Sequence, residues 1–214
     1  LAEESPWAPE GHEVIWEQFR IPFREMAKPA LPVSKMGKLT AIEEEGTHVV
    51  KGNHFACAFD TTKGTLVSYK LDNNEMLAKS PLLNFWRPPT DNDRNDVNGE
   101  RKWRRQHLDS LQPRVYNTGI LKNGDKRFQW YAKRAFVNNS GELIIDALQV
   151  FTVHGNGEIT VYSKINPINQ VEVLPKAGIQ MGVAKSWRIL PGLAQARTKL
   201  TPTENQAAGL IAIP

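Results

Sequence analysis

Leu143-Ile-Ile-Asp-Ala-Leu-Gln-Val-Phe-Thr-Val-His-Gly-Asn-Gly-Glu-Ile-Thr-Val-Tyr-Ser-Lys-Ile165 decides the fold class. Residues 143–153 and 158–165 read as two long strands, and His154-Gly-Asn-Gly157 between them is a strong hairpin turn. Upstream, Arg127-Phe-Gln-Trp-Tyr-Ala-Lys-Arg-Ala-Phe136 reads as a third long strand. Further back, residues 48–51 and 54–60 read as short strands. Thr61-Thr-Lys-Gly64 is a turn, 65–71 its return strand, and Asp72-Asn-Asn74 another turn. Long strands, Gly/Asn turns and little helical periodicity predict an all-β chain, an antiparallel β-sandwich. The exception is about residues 98–111, expected to form a helical turn or more.

The N-terminal part differs. Residues 1–11 are polar and rich in Pro and Glu, as in a loop. Glu13–Phe23 (EVIWEQFRIPF) reads as a strand, with Pro22 favouring an edge. Residues 25–38 form a Pro-containing connector and mark a domain boundary. The start at Leu1 reads as a cut inside a longer protein. The +4 net charge over 214 residues is diffuse apart from Arg101-Lys-Trp-Arg-Arg105, so nucleic-acid binding by bulk charge is not expected. No apolar run approaches the roughly 20 residues of a membrane span. The lone Cys57 lies between alanines and aromatics, as a buried, inert thiol does.

Pro81-Leu-Leu-Asn-Phe-Trp-Arg-Pro-Pro-Thr-Asp-Asn-Asp-Arg-Asn95 carries the candidate site. Its prolines exclude the middle of a helix or of a central strand. Phe85 and Trp86 suit packing or loop anchoring. Arg87, beside carboxylates, either orients something or forms a structural pair with an aspartate. Asp91 and Asp93 suit turn capping. Asp91-x-Asp93-x-Asn95 begins like a calcium loop, but Asp96 and Lys102 stand where that loop needs Gly and Glu. The five histidines lack metal-ligand spacing.

Asn84-Phe-Trp-Arg-Pro-Pro-Thr-Asp-Asn-Asp-Arg94 closely resembles the signature N-F-W-R-A-P-T-D-N-D of the large multi-domain bacterial β-galactosidases, family-two glycoside hydrolases. The flanks agree: Gly11–Phe23 resembles the last strand of the preceding immunoglobulin-like domain. Phe59–Tyr69 and Glu75-Met-Leu77 resemble the hairpin before the signature. The likeness runs from about His12 to Lys185.

The resemblance implies three parts. Residues 1–28 end an immunoglobulin-like domain, and 29–185 begin the C-terminal sandwich, a galactose-mutarotase-like supersandwich that stays incomplete. Residues 186–214 are an aberrant tail. It implies hydrolysis of terminal non-reducing β-D-galactosides such as lactose, with the catalytic carboxylates in a TIM barrel of the same or a companion chain and none in this one. Cofactors are expected as none in this chain, magnesium and sodium belonging to that barrel. Phe85, Trp86, Arg87, Asp91, Asn92, Asp93, Arg94 and Asn95 are the expected loop-anchoring or substrate-loop residues. A mobile loop of about residues 94–101 would border the active site, and Asn95 would supply a left-handed turn where the family often has Gly. The whole enzyme is expected as a homo-oligomer, with no nucleic-acid or membrane partner and a cytoplasmic location favoured. The alternative is a non-catalytic sandwich that binds carbohydrate, with Trp86 or Trp103 stacking on sugar, or that docks on a separate catalytic subunit.

After Lys185 the likeness stops. Ser186–Asn205 lacks strand alternation, and with permitted codons written for residues 185–205, one base inserted after the Lys185 codon would give a family-like reading. A frameshifted tail of this kind would leave core-facing strands uncovered.

Overall fold

The computed structural model describes residues 3–12, 31–168, 171–184 and 206–209. The chain divides into two compact units, Leu1–Ala30 and Leu31–Pro214. In the first, Ser5 and Ala8 form an isolated bridge, and the Trp7 and His12 rings meet edge-on at 5.5 Å. The strand expected over residues 13–23 lies outside the described residues.

The second unit is antiparallel throughout. Strands β1 (Thr40–Glu44), β2 (Thr47–Lys51), β3 (Phe55–Asp60), β4 (Thr65–Leu71) and β5 (Asn74–Glu75) form one sheet in sequence order. After β6 (Leu77–Asn84) come two short helices, α1 (Asp91–Asn95) and α2 (Glu100–Arg105). Strands β7 (Gln112–Asn123), β8 (Arg127–Val137), β9 (Leu143–His154) and β10 (Ile159–Pro167) follow as a meander. Among the described residues β11 (Gly178–Val183) pairs only with β6, and β12 (Gln206–Gly209) pairs with β10. The second sheet therefore runs β12-β10-β9-β8-β7. β12 falls in the tail expected to be aberrant; the rest of that tail lies outside the described residues.

The two five-stranded sheets face each other across an aromatic core, as an all-β sandwich requires. Alternation fixes the facing set: Phe55, Cys57 and Phe59 on β3 meet Phe128 and Trp130 on β8 and Phe151 and Val153 on β9. Phe59 stacks on Trp130 at 5.0 Å and tilts against Phe151 at 5.4 Å. Trp130 Nε1 donates to His48 Nδ1 at 3.1 Å, satisfying a donor that would otherwise be orphaned in the core. Burial pushes the Cys57 thiol far above its ordinary value, so it is an inert apolar filler.

A second apolar cluster, with Leu83, Phe85, Leu108, Phe136, Ile145 and Ile165, lies under β6 and β11. Between the clusters runs a seam of buried polar side chains on neighbouring strands. Arg134 on β8 donates to Gln149 Oε1 on β9, and Gln149 Nε2 to Ser163 Oγ on β10. Arg134 also donates to the Gly64 carbonyl, which ties the β3–β4 turn to the opposite sheet. Burial lowers the Arg134 guanidinium to about 10, still charged at neutral pH.

The turn at 61–64 forms as expected. Asp60 Oδ1 accepts from the Thr62 and Lys63 amides, each at 2.9 Å. Gly64 adopts φ +64, and a Cβ there would meet Val115 Cγ2 of β7 at 2.7 Å, so only glycine fits. Pro81 does lie in a strand, but at the break in the β6–β11 register, where no ladder donor is needed. The same stretch departs from expectation at its end: Asp91–Asn95 is helical, because Thr90 caps it.

Candidate functional site

The segment after β6 is held by side chains. Phe85 is buried and meets Phe136 edge-on at 4.9 Å. The Trp86 amide donates to Asn84 Oδ1 at 2.9 Å, turning the chain out of the strand. Pro88 and Pro89 follow, and Thr90 starts α1 with a capping box. Thr90 Oγ1 accepts from the Asp93 amide, and the Asp93 carboxylate accepts from the Thr90 amide at 2.7 Å.

Arg87 grips this helix. Its Nη1 and Nη2 donate to the two Asp93 oxygens at 2.6 and 2.8 Å, a bidentate fork. Its Nε donates to the Pro175 carbonyl at 3.1 Å, joining the segment before β11. Arg87 and the Thr90 amide hold the Asp93 carboxyl far below the usual carboxylate range, and Asp93 in turn raises Arg87. Both Asp93 oxygens are thus engaged, while Asp91 is exposed and faces Arg94 at 3.2 Å. Among the described residues no group of three or more His, Cys, Asp or Glu side chains is placed to hold a metal ion.

Aromatic faces complete the clasp. Trp103 of α2 is buried and meets Trp86 edge-on at 6.0 Å. The Arg87 guanidinium lies 4.9 Å from the Trp103 ring centre, and that of Arg104 lies 5.3 Å from the Trp86 ring centre. Glu100 and Asp109 hold Arg104 in turn, at 2.9 and 2.8 Å. Trp103, buried in this way, offers no open face for a sugar to stack on. α1 and α2 touch so closely that a Cβ on Gly99 would sit 1.8 Å from the Asp93 carbonyl.

One expectation changes: Arg94 and Asn95 lie in α1, and Asn95 does not take the left-handed conformation foreseen for it. Residues 94–102 carry the ion pair Arg94–Glu100 at 3.8 Å, and Lys102 bonds Asn98 at 3.1 Å and pairs with Glu172. Asn92 lies in the first turn of α1, where its carbonyl accepts from the Asp96 amide. Beside the clasp, Trp86 and Phe85 also wall an open groove of about 710 Å³, with Leu82, Leu83, Phe136 and Met181.

The sequence from 51 to 190 matches the family model described as "Beta galactosidase small chain". The chain belongs to that family. It is 31% identical over 188 residues to the beta-galactosidase of Priestia megaterium, covering 84% of this chain and 16% of the relative. The beta-galactosidase of Lactobacillus delbrueckii subsp. bulgaricus is 28% identical over 194 residues, covering 86% of this chain and 17% of its own length. That of Kluyveromyces lactis is 24% identical over 216 residues, covering 94% and 20% respectively. This small-chain region therefore spans a fifth or less of these three relatives, and the β-sandwich just described is a β-galactosidase component.

Sequence reasoning missed Trp103, Gly99 and Pro175 as parts of the clasp. Only the capping box Thr90-x-x-Asp93 was a legible signal for α1.

Proposed function

We propose that this sandwich packs beside a catalytic TIM barrel, in the same polypeptide or a companion chain, and borders its active site. The whole hydrolyses terminal non-reducing β-D-galactosides such as lactose. Family membership supports the reaction class. The observation that carries the bordering role is the clasp. It spends two arginines, two tryptophans and a capping box on holding a short surface segment whose tip, Val97, is 83% exposed. A surface segment fixed so firmly suits a wall that must keep its shape against a neighbour. The apolar groove under Trp86 suits the same docking.

Retaining hydrolysis needs a nucleophilic carboxylate and an acid/base carboxylate about 5–5.5 Å apart. The barrel supplies that pair, together with the magnesium and sodium sites. The residues of this chain position: Arg87 and Asp93 fix α1, Gly99 lets α2 close on it, and Trp86 joins the loop to the groove. A homo-oligomeric whole, with no nucleic-acid or membrane partner, fits the same reading.

The test is complementation. A relative's β-galactosidase truncated of the matched region is mixed with this chain and assayed on an aryl galactoside. Hydrolysis is expected from the mixture and not from the chain alone, and Arg87→Met is expected to lower it. Turnover by the isolated chain, abolished by a galactose-like inhibitor, would move catalysis into the sandwich. A mixture that neither associates nor hydrolyses sinks the docking role.

A further inference from the structure

The outer face of the second sheet carries a second constructed site. The register of β7 on β8 steps from Val115–Arg134 to Asn117–Lys133, leaving Tyr116 as the extra residue of a bulge. Bulges re-aim side chains, and this one sends Tyr116 across β8 to β9. Its hydroxyl donates to Asp146 Oδ1 at 2.7 Å. The β8 residue in register with Asp146 is the small Ala135, and on the far side Asn166 of β10 stands opposite. In the adjacent row, Lys133, Leu148 and Lys164 sit side by side on β8, β9 and β10. These six side chains line one pocket of about 280 Å³.

The chemistry is specific. Neither Lys133 nor Lys164 has an acidic partner among the described residues. Two strand spacings put their backbones about 9–10 Å apart, with the Leu148 side chain between them. Long flexible stems let both ammoniums converge on one anionic group above that apolar floor. Burial, and then the Asp146 carboxylate, pushes the Tyr116 phenol up to about 12, so it stays a donor that fixes Asp146 at neutral pH. Among the described residues, the second Asp146 oxygen and the Asn166 amide have no hydrogen-bond partner and can serve hydroxyl groups.

We propose that this pocket binds a monosaccharide phosphate, with Lys133 and Lys164 on the phosphate and Asp146 and Asn166 on the sugar hydroxyls. A phosphate monoester carries about −1.5 to −2 charges at pH 7, which matches two ammoniums where a carboxylate matches one. The inference stands apart from the proposed docking on a barrel.

Isothermal titration of the 214-residue chain with galactose 6-phosphate at low salt tests it, with galactose and inorganic phosphate as controls. Saturable binding of the sugar phosphate is expected, with both controls at least about tenfold weaker, a difference of about 1.4 kcal/mol. Lys133→Gln and Lys164→Gln, both at exposed positions, should each weaken it about tenfold, and Tyr116→Phe a few-fold. In the unaltered chain the ligand should also protect Lys133 and Lys164 from acetylation, read by peptide mapping. No saturable binding overturns the proposal. So does inorganic phosphate binding as tightly as the sugar phosphate, or acetylation of the two lysines that the ligand does not slow.

Discussion

The aromatic core between the sheets and the clasp around α1 solve the same problem with opposite means. The core joins Phe59, Trp130 and Phe151 by buried area, with the Trp130 indole N–H satisfied by His48. The clasp joins Arg87, Asp93, Trp86 and Trp103 by directed contacts, and its Arg87–Asp93 fork is partly open to competing water. The first is worth more energy. The second is worth more precision of placement. Breaking each should look different in the measurement, not only in its size.

The largest loss is expected for Phe59→Ala. A large buried aromatic removed from a close-packed centre costs about 3–5 kcal/mol. Denaturant unfolding should show a lower midpoint with an unchanged slope. A smaller global loss, about 1–3 kcal/mol, is expected for Arg134→Met, which orphans the Gly64 carbonyl and the Gln149 amide oxygen. Gly99→Ala should cost a comparable amount, about 1–3 kcal/mol, because the added methyl group forces α1 and α2 apart. Its signature is local: the near-ultraviolet circular dichroism of Trp86 and Trp103 should collapse while far-ultraviolet strand signals persist.

Arg87→Lys should move the thermal midpoint less than any of these, since a lysine keeps the charge but loses the fork. It should still shift tryptophan emission. If emission is unchanged, the fork is not what places Trp103. The pH response sharpens the contrast further. Asp93 is depressed in the folded chain, so its contribution is fully present above the unfolded value of about 3.9. It is lost only as pH falls through the lower folded value. Acid titration followed by tryptophan emission should therefore leave the clasp intact down to about pH 4. Loss of the Trp86–Trp103 signal between pH 5 and 7 would contradict that sign.

The two regions also differed in how well the sequence announced them. Core strands β3, β4, β8, β9 and β10 were legible because one face is buried and the turns that bound them use Asp60, Gly64, Asn73 and Gly157. β1, β6, β7 and β11 were not. β7 is an edge strand, mostly exposed, interrupted by two register shifts and a proline, so no alternation survives in QPRVYNTGILKN. β6 hides behind Pro81. α1 has five residues, too few for any period to appear. In the clasp, the residue types at 87 and 93 suggested their pairing. The partners Trp103 and Pro175 are distant in sequence, and no local pattern reports distance.

The polar seam of Arg134, Gln149 and Ser163 works as a firebreak. It separates two apolar clusters that otherwise share strands β8, β9 and β10, leaving Ile179 of β11 in touch with both. Repacking on one side then has few routes to the other. Substitutions in the half beneath the clasp and groove and in the aromatic half that joins the sheets are then expected to act on stability nearly independently.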